Sequence, residues 1–439
     1  MKETVKSVLL ALLVAVSLLQ SYVLVYNMPI FESGEEVAND YIQTETMGRE
    51  EAAENLVLPD RMILHFGDGR HTVFYADTPF FNMIFEGLQK REFSGFQKNT
   101  SRAFDWEEIR DEYEGIELRF AEGAPIELLT EILLLKGEVT LHDDLIDRIW
   151  IFTKPGSDEV ETVLFSSEGS VVYETTKADF KYKDIEWFLG FGEYVGEQSE
   201  YGTTYRPLGR NIYVPEQPIP MLGYRLPYRS FTAKQMQQHL FFDPNITRNI
   251  LEKDGTEIYT DGKRGLQILN NDKWVVYTDA FSPIGGKNDL TENLRAAVTF
   301  VNQHGGWTGT YRFDRLPQTA DGHTIVFRQY YGTEPNGVFP IVSNPSFLFG
   351  YKQLVLHQGE VARYEVSFID IDFEAESPKK SERMLPGGKQ LQEKIAEYPK
   401  RMIMQDLFPA YRPVLHDKYI ELEPVWVAEL TGGTYEYLD

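Results

Sequence analysis

The run SVLLALLVAVSLLQSYVLVY, residues 7–26, carries no charged side chain; Lys2 and Lys6 precede it, and Glu32, Glu35, Glu36 and Asp40 follow. At about 1.5 Å per residue a helix of this length spans about 30 Å, the hydrocarbon thickness of a bilayer. The expected protein is therefore α+β, with a single N-terminal transmembrane helix and a mostly antiparallel-sheet-plus-helix exterior of several domains. The two lysines favour a cytoplasmic N-terminus, with the bulk of the chain extracytoplasmic. The alternative is a cleaved signal peptide, because Ala15-Val16-Ser17 offers a small-x-small cut site. Against it, the apolar run continues through Leu18, Leu19, Val23, Leu24 and Val25. A lipoprotein is excluded, since the chain has no cysteine to acylate.

Within the run Ser7, Ala11 and Ala15 recur every fourth residue, and Ser17 and Ser21 repeat that spacing. Small side chains so placed let another helix approach closely, and Gln20 offers a hydrogen bond across the contact. These six residues form a candidate transmembrane partner interface. Alanine and serine are equally tolerated in a helix that faces only lipid, and the sequence leaves both readings open.

The whole chain carries 43 basic and 68 acidic residues, a net charge of −25; setting aside the first 26 residues, with Lys2, Glu3 and Lys6, leaves −26. So acidic a body does not displace counterions from phosphates, which argues against nucleic acid, nor does it lie flat on anionic lipid. Zero cysteines excludes disulfides, thiolate catalysis and zinc–thiolate sites.

Along the chain, an acidic membrane-proximal spacer is expected over 29–60, after the anchor of 1–28. Arg61–Phe66 and His71–Ala76 flank Gly67-Asp68-Gly69-Arg70 and read as a hairpin. Helices are expected after Pro79, over Asp105–Tyr113 and from Pro125 through Leu135, with strands at Ile116–Phe120, Leu145–Thr153, Glu159–Phe165 and Ser170–Thr175. Five prolines, at 207, 215, 218, 220 and 227, then mark a domain boundary. Beyond it, Asn288–Gln303 is an amphipathic helix with Leu290, Leu294, Ala297, Val298 and Val301 on one face. Strands are read through Val361–Phe373, with a polar helix over Gly388–Tyr398. The implied exterior domains are 61–205, 206–305 and 306–439, each α+β.

Catalytic signatures are missing. There is no Gly-x-Ser-x-Gly, no Walker loop and no His-Glu-x-x-His, so no cofactor and no metal are expected. Gly190-Phe191-Gly192-Glu193-Tyr194-Val195-Gly196 misses the dinucleotide pattern and reads as a loop. His65 and His71 are placed to meet across the hairpin, but two histidines without a third ligand do not make a zinc site. Asp370 and Asp372 alternate in Ser367–Phe373, which puts two carboxylates on one strand face, as acid–base work on a sugar requires; Glu374 and Glu376 extend the row. A solvated sheet face gives the same pattern.

Several segments together carry a resemblance. Met1-Lys2-Glu3-Thr4-Val5-Lys6, the proline-rich Pro218-Ile219-Pro220-Met221-Leu222, the turn Tyr259–Gln267 and the strands from Gly350-Tyr351 to Ile371 resemble the YycH family nearly end to end. The resemblance implies an extracytoplasmic, non-enzymatic regulator of cell-wall homeostasis in low-GC Gram-positive bacteria. Its implied partners are a sensor histidine kinase of the WalK type and a YycI-like companion protein, met largely through transmembrane helices. Family members restrain the kinase in some bacteria and support it in others. The rival expectations are an envelope carbohydrate-active enzyme using Asp370 and Asp372, and a wall-polymer binding module.

Overall fold

The tight turn predicted around Gly67 joins the first two strands of the folded body. Gly67, Asp68 and Gly69 take φ of 72°, 53° and 66°, a left-handed stretch that glycine adopts without strain. It returns the chain so that β1 (Arg61–Phe66) lies antiparallel to β2 (His71–Tyr75), from Arg61↔Tyr75 to His65↔His71. In this computed structural model the described residues are 6, 16 and 47–439, without 100–104, 137–144, 167–171, 199–202, 210, 270–272, 284–287, 316–322, 334 and 374–376. Residues 1–42 and 43–439 are separate units, and the following concerns the second.

Eight further strands extend the hairpin: β3 (Glu92–Asn99), β4 (Glu114–Pro125), β5 (Leu134–Lys136), β6 (Leu145–Thr153), β7 (Val160–Ser166), β8 (Val172–Ala178), β9 (Tyr205–Leu208) and β10 (Ile212–Pro215). They form a ten-stranded sheet in the order β10-β9-β2-β1-β4-β6-β7-β8-β3-β5, antiparallel except for β3–β5. Its helices are α1 (Ala53–Leu56), α2 (Pro79–Gln89), α3 (Trp106–Glu112), α4 (Ile126–Ile132) and α5 (Tyr182–Gln198). Thr78 caps α2, accepting from the Phe81 N–H with Pro79 in the first turn, and the helix buries Phe81, Ile84, Phe85 and Leu88. Gly190–Gly196, expected as a loop, lies inside α5. The reason is packing, because a Cβ at Gly192 would stand 2.3 Å from Leu64 Cδ1. That glycine lets the helix sit down on β1.

The proline-rich stretch, read as a domain boundary, contains a strand. β11 (Ile219–Ser230) is an interior strand that contains Pro220 and Pro227. Proline lacks the N–H a ladder needs, and β11 accommodates Pro227 where one flank changes partner: β22 (Lys379–Leu385) pairs through Arg225, and β21 (Ile369–Ile371) takes over at Tyr228. Between these in the chain lies a nine-stranded sheet. It comprises β12 (Arg248–Leu251), β13 (Glu257–Thr260), β14 (Arg264–Leu269), β15 (Trp274–Asp279), β16 (Thr310–Arg315), β17 (His323–Gly332), β18 (Val338–Pro340), β19 (Tyr351–His357) and β20 (Glu360–Ser367). Its order is β12-β13-β14-β15-β20-β19-β17-β16, with β18 on β17. α6 (Ala233–Leu240), closed by a Thr232/Gln235 capping box, and α7 (Leu290–Gln303) cover it. Asp289 caps α7 by accepting from the Glu292 N–H at 2.8 Å, and the five predicted apolar residues of its inner face are all buried. Finally β23 (Met404–Leu415), β24 (Tyr419–Leu430) and β25 (Thr434–Tyr437), with α8 (Gly388–Glu397), complete a six-stranded sheet around β11.

The acidic stretch after the apolar run is, from Met47, built into this body. Gly48 N–H donates to Gly305 O at 2.8 Å, Arg49 N–H to Trp307 O at 3.0 Å, and Trp307 N–H back to Arg49 O at 2.8 Å. Asn302 clasps the backbone of Glu51, donating from Nδ2 to its carbonyl at 2.8 Å and accepting from its N–H at 3.0 Å. Gly306 permits the approach: at φ 78° its Cβ would fall 2.8 Å from the Gly48 and Arg49 carbonyl oxygens. Residues 48–51 are therefore pinned to the C-terminal end of α7 and the turn that follows it.

Candidate functional site

Ser7, Ala11, Ala15, Ser17, Gln20 and Ser21 lie outside the described residues; Lys6 and Val16, on either side of the first three, are helical. Among the described residues no helix is long and apolar enough to cross a membrane.

Two polar sites are buried in the body formed by the second unit. The first contains Asp370. The strand read as continuous through Phe373 ends at Ser367: β20 belongs to the nine-stranded sheet, and after Phe368 the chain crosses to the six-stranded sheet as β21. At this crossing Ile369, Asp370 and Ile371 are all buried, so Asp370 does not lie on a solvated face. Asp372 falls past the end of β21, its N–H donating to Pro227 O at 2.9 Å. Asp370 is 4% exposed, with Arg229 Nη2 3.6 Å from its Oδ2. Arg229 also donates to the Met47 carbonyl at 3.1 Å, which ties this carboxylate to the incoming segment.

Lys352 on β19 is buried in the wall of the same cavity, near the Tyr311 and Trp307 rings, and donates to Tyr364 Oη at 3.4 Å. Burial pushes the Asp370 carboxyl up to about 6, against the pull of Lys352 and Arg229. Burial likewise brings Lys352 down to about 8 despite Asp370. The cavity has about 20 Å³ to fill, room for roughly one water molecule. A polymer cannot reach the carboxylate, so the acid–base reading of Asp370 and Asp372 fails on geometry.

The second site is a polar cluster inside the ten-stranded sheet. Alternation puts Glu117 and Arg119 on one face of β4, and four other strands bring the rest of the cluster. Glu117, fully buried, accepts from Arg119 Nε at 2.8 Å, His65 Nε2 at 3.1 Å and Tyr213 Oη at 3.2 Å, with Arg148 Nε at 3.3 Å. Burial alone would raise its carboxyl; Arg119, Arg148 and His65 hold it well below the usual range instead. His65 and His71 do meet as the hairpin register predicts, Nδ1 to Nδ1 at 3.0 Å. With His65 Nε2 donating to Glu117, His65 Nδ1 accepts from His71 Nδ1–H. His71 Nε2 is left as a bare acceptor 3.6 Å from Asp111, without a hydrogen bond. Burial lowers both histidines, His71 to about 3. Among the described residues no group of three His, Cys, Asp or Glu side chains is placed to hold a metal ion. The cluster ties β1, β2, β4, β6 and β10 together, and its side chains are buried. Its sequence signal was two opposite charges, Glu117 and Arg119, two residues apart among the apolar Ile116, Leu118 and Phe120.

Known proteins match this architecture along almost its full length. Residues 3–188 match the family described as YycH protein, N-terminal domain, and residues 209–437 that described as YycH protein, C-terminal domain. The two-component system WalR/WalK regulatory protein YycH of Bacillus subtilis (strain 168) is 21% identical over 454 residues, covering 98% of this chain and 95% of the relative. The crystal structure of YycH from Bacillus subtilis superposes with a TM-score of 0.71 at 16% identity, over 90% of this chain and 99% of that one, and shows a shared fold. With both halves matched in sequence and the ten-, nine- and six-stranded sheets set out along them, the chain belongs to the YycH family.

Proposed function

We propose that this chain is a non-enzymatic, single-pass regulator of a WalK-type sensor histidine kinase. Its helix Ser7–Tyr26 contacts the kinase's transmembrane bundle, its N-terminus is cytoplasmic and its body is extracytoplasmic. A YycI-like companion acts with it. The observation that carries this reading is the end-to-end match to a protein named for regulating WalR/WalK. The uncharged run and its small-residue spacing support the membrane part.

Binding alone does not regulate; the helix must contact two kinase states differently. The pinning of Met47–Glu51 to Asn302, Gly305 and Trp307 gives the exterior a mechanical hold on the chain that leads to the anchor. Replacing Ala11 and Ala15 by Leu, together with Gln20→Leu, is expected to reduce the effect on kinase output about tenfold, since helix contacts in lipid are worth roughly 0.6–2 kcal/mol each. A reporter promoter of the kinase pathway, read at equal protein level, tests this. Unchanged output refutes the helix contact.

A further inference from the structure

β12 is the outermost strand of the nine-stranded sheet and is paired only with β13. All four of its residues are exposed, Ile250 at 52% and Leu251 at 71%. Edge strands are normally guarded by prolines, bulges or central charges; this one has apolar residues at its middle and charges only at its ends, Arg248 and Glu252. Its register with β13 fixes which amides are free. Glu252 N–H donates to Thr256 O at 2.9 Å, so Arg248, Ile250 and Glu252 direct their main-chain groups inward. By alternation Asn249 and Leu251 direct theirs outward. Among the described residues no backbone group bonds to that outer side.

We propose that β12 pairs with β12 of a second copy of this chain, antiparallel about a two-fold axis through Ile250, joining two nine-stranded sheets edge to edge. The strand is complementary to itself in this register alone. Outward-facing residues must pair with outward-facing ones, which restricts the axis to Asn249, Ile250 or Leu251. An axis on Asn249 sets Arg248 against Ile250, and one on Leu251 sets Glu252 against Ile250. Only the axis on Ile250 sets Arg248 against the second copy's Glu252, twice, while Asn249 and Leu251 exchange main-chain hydrogen bonds. Opposite charges directly across a strand pair stabilise it, and like charges oppose it. The two Ile250 residues then occupy a close, non-hydrogen-bonded position, with Cα atoms about 4.5 Å apart. Five residues bury less than a freely diffusing dimer needs. The strength of the pairing therefore rests on the membrane reading above, which confines both copies to one surface and raises their effective concentration; the register does not rest on it.

The absence of cysteine from the chain makes the test direct. Full-length protein carrying Ile250→Cys is oxidised mildly in native membranes, and fractionation of the same sample reads the anchor separately. Disulfide-linked homodimer is expected, because the separation fits a disulfide. Leu251→Cys, although more exposed, is expected to crosslink several-fold less. Adding Arg248→Glu to Ile250→Cys should lower the yield at least about threefold by opposing like charges, and further adding Glu252→Arg should restore it. Any of four results overturns the proposal: no homodimer, equal crosslinking at both positions, indifference to charge reversal, or a thiol-labelled product that contains a different protein.

Discussion

Glu117→Ala is expected to destabilise the ten-stranded sheet by about 3–5 kcal/mol, the range for removing one partner from a buried ion network. The substitution takes away the carboxylate shared by Arg119 and Arg148, whose side chains are 6% and 8% exposed. Their remaining hydrogen bonds, to the carbonyl and side chain of Asn211, satisfy donors without neutralising charge. Glu117→Gln keeps the shape and some acceptors and should lie between Glu117→Ala and the parent. The change is best read from the denaturant midpoint by tryptophan fluorescence, to which Trp150, its ring centroid 4.9 Å from that of His65, contributes. A shift below about 1 kcal/mol, typical of an exposed ion pair, would contradict the account of this cluster.

Acidification should weaken the same sheet through the two histidines. Both are lowered in the folded protein, so between pH 6.5 and about 3 the unfolded chain holds protons that the folded one excludes. A depressed pKa gives stability that is fully present above the unfolded value and is lost as pH falls towards the folded one. At pH 4.5 His71 alone accounts for a loss on the order of 3 kcal/mol, at about 1.4 kcal/mol per unit below its free value, and His65 adds in the same direction. The Arg110 and Arg119 charges oppose protonation, while Asp111 and Glu117 favour it without offsetting burial. His71→Gln removes one titration, so the fall in Tm from pH 7 to 4.5 should be shallower by roughly 5–10 °C. Parallel profiles for the two proteins would refute this assignment.

The parts of the fold legible in sequence are those set by neighbouring residues. The first hairpin follows from a glycine-rich turn between two β-rich runs, and α7 from a cap and a four-residue apolar rhythm. The misreadings arise where distant contacts override local pattern. Gly190–Gly196 reads as a loop because it misses the dinucleotide pattern and follows no clear strand, yet Gly192 is the close contact that seats α5 on Leu64. Alternation around Asp370 is real, but the chain changes sheets at Phe368, which the local pattern does not announce. The Glu117 cluster was half visible. Its charges stand out in β4, but their partners come from residues as far apart as 65 and 213, a juxtaposition that only the assembled sheet creates.

In the function proposed above, the N-terminal helix, more than the folded body, recognises the kinase. This is tested most directly by crosslinking full-length protein in native membranes and recovering it with its partners, alongside a version in which residues 1–28 are exchanged for an unrelated membrane helix. The account predicts that a sensor kinase and a second single-pass protein are recovered with the parent and lost on exchange. Recovery of both at parental levels after the exchange would contradict it and move recognition to the exterior.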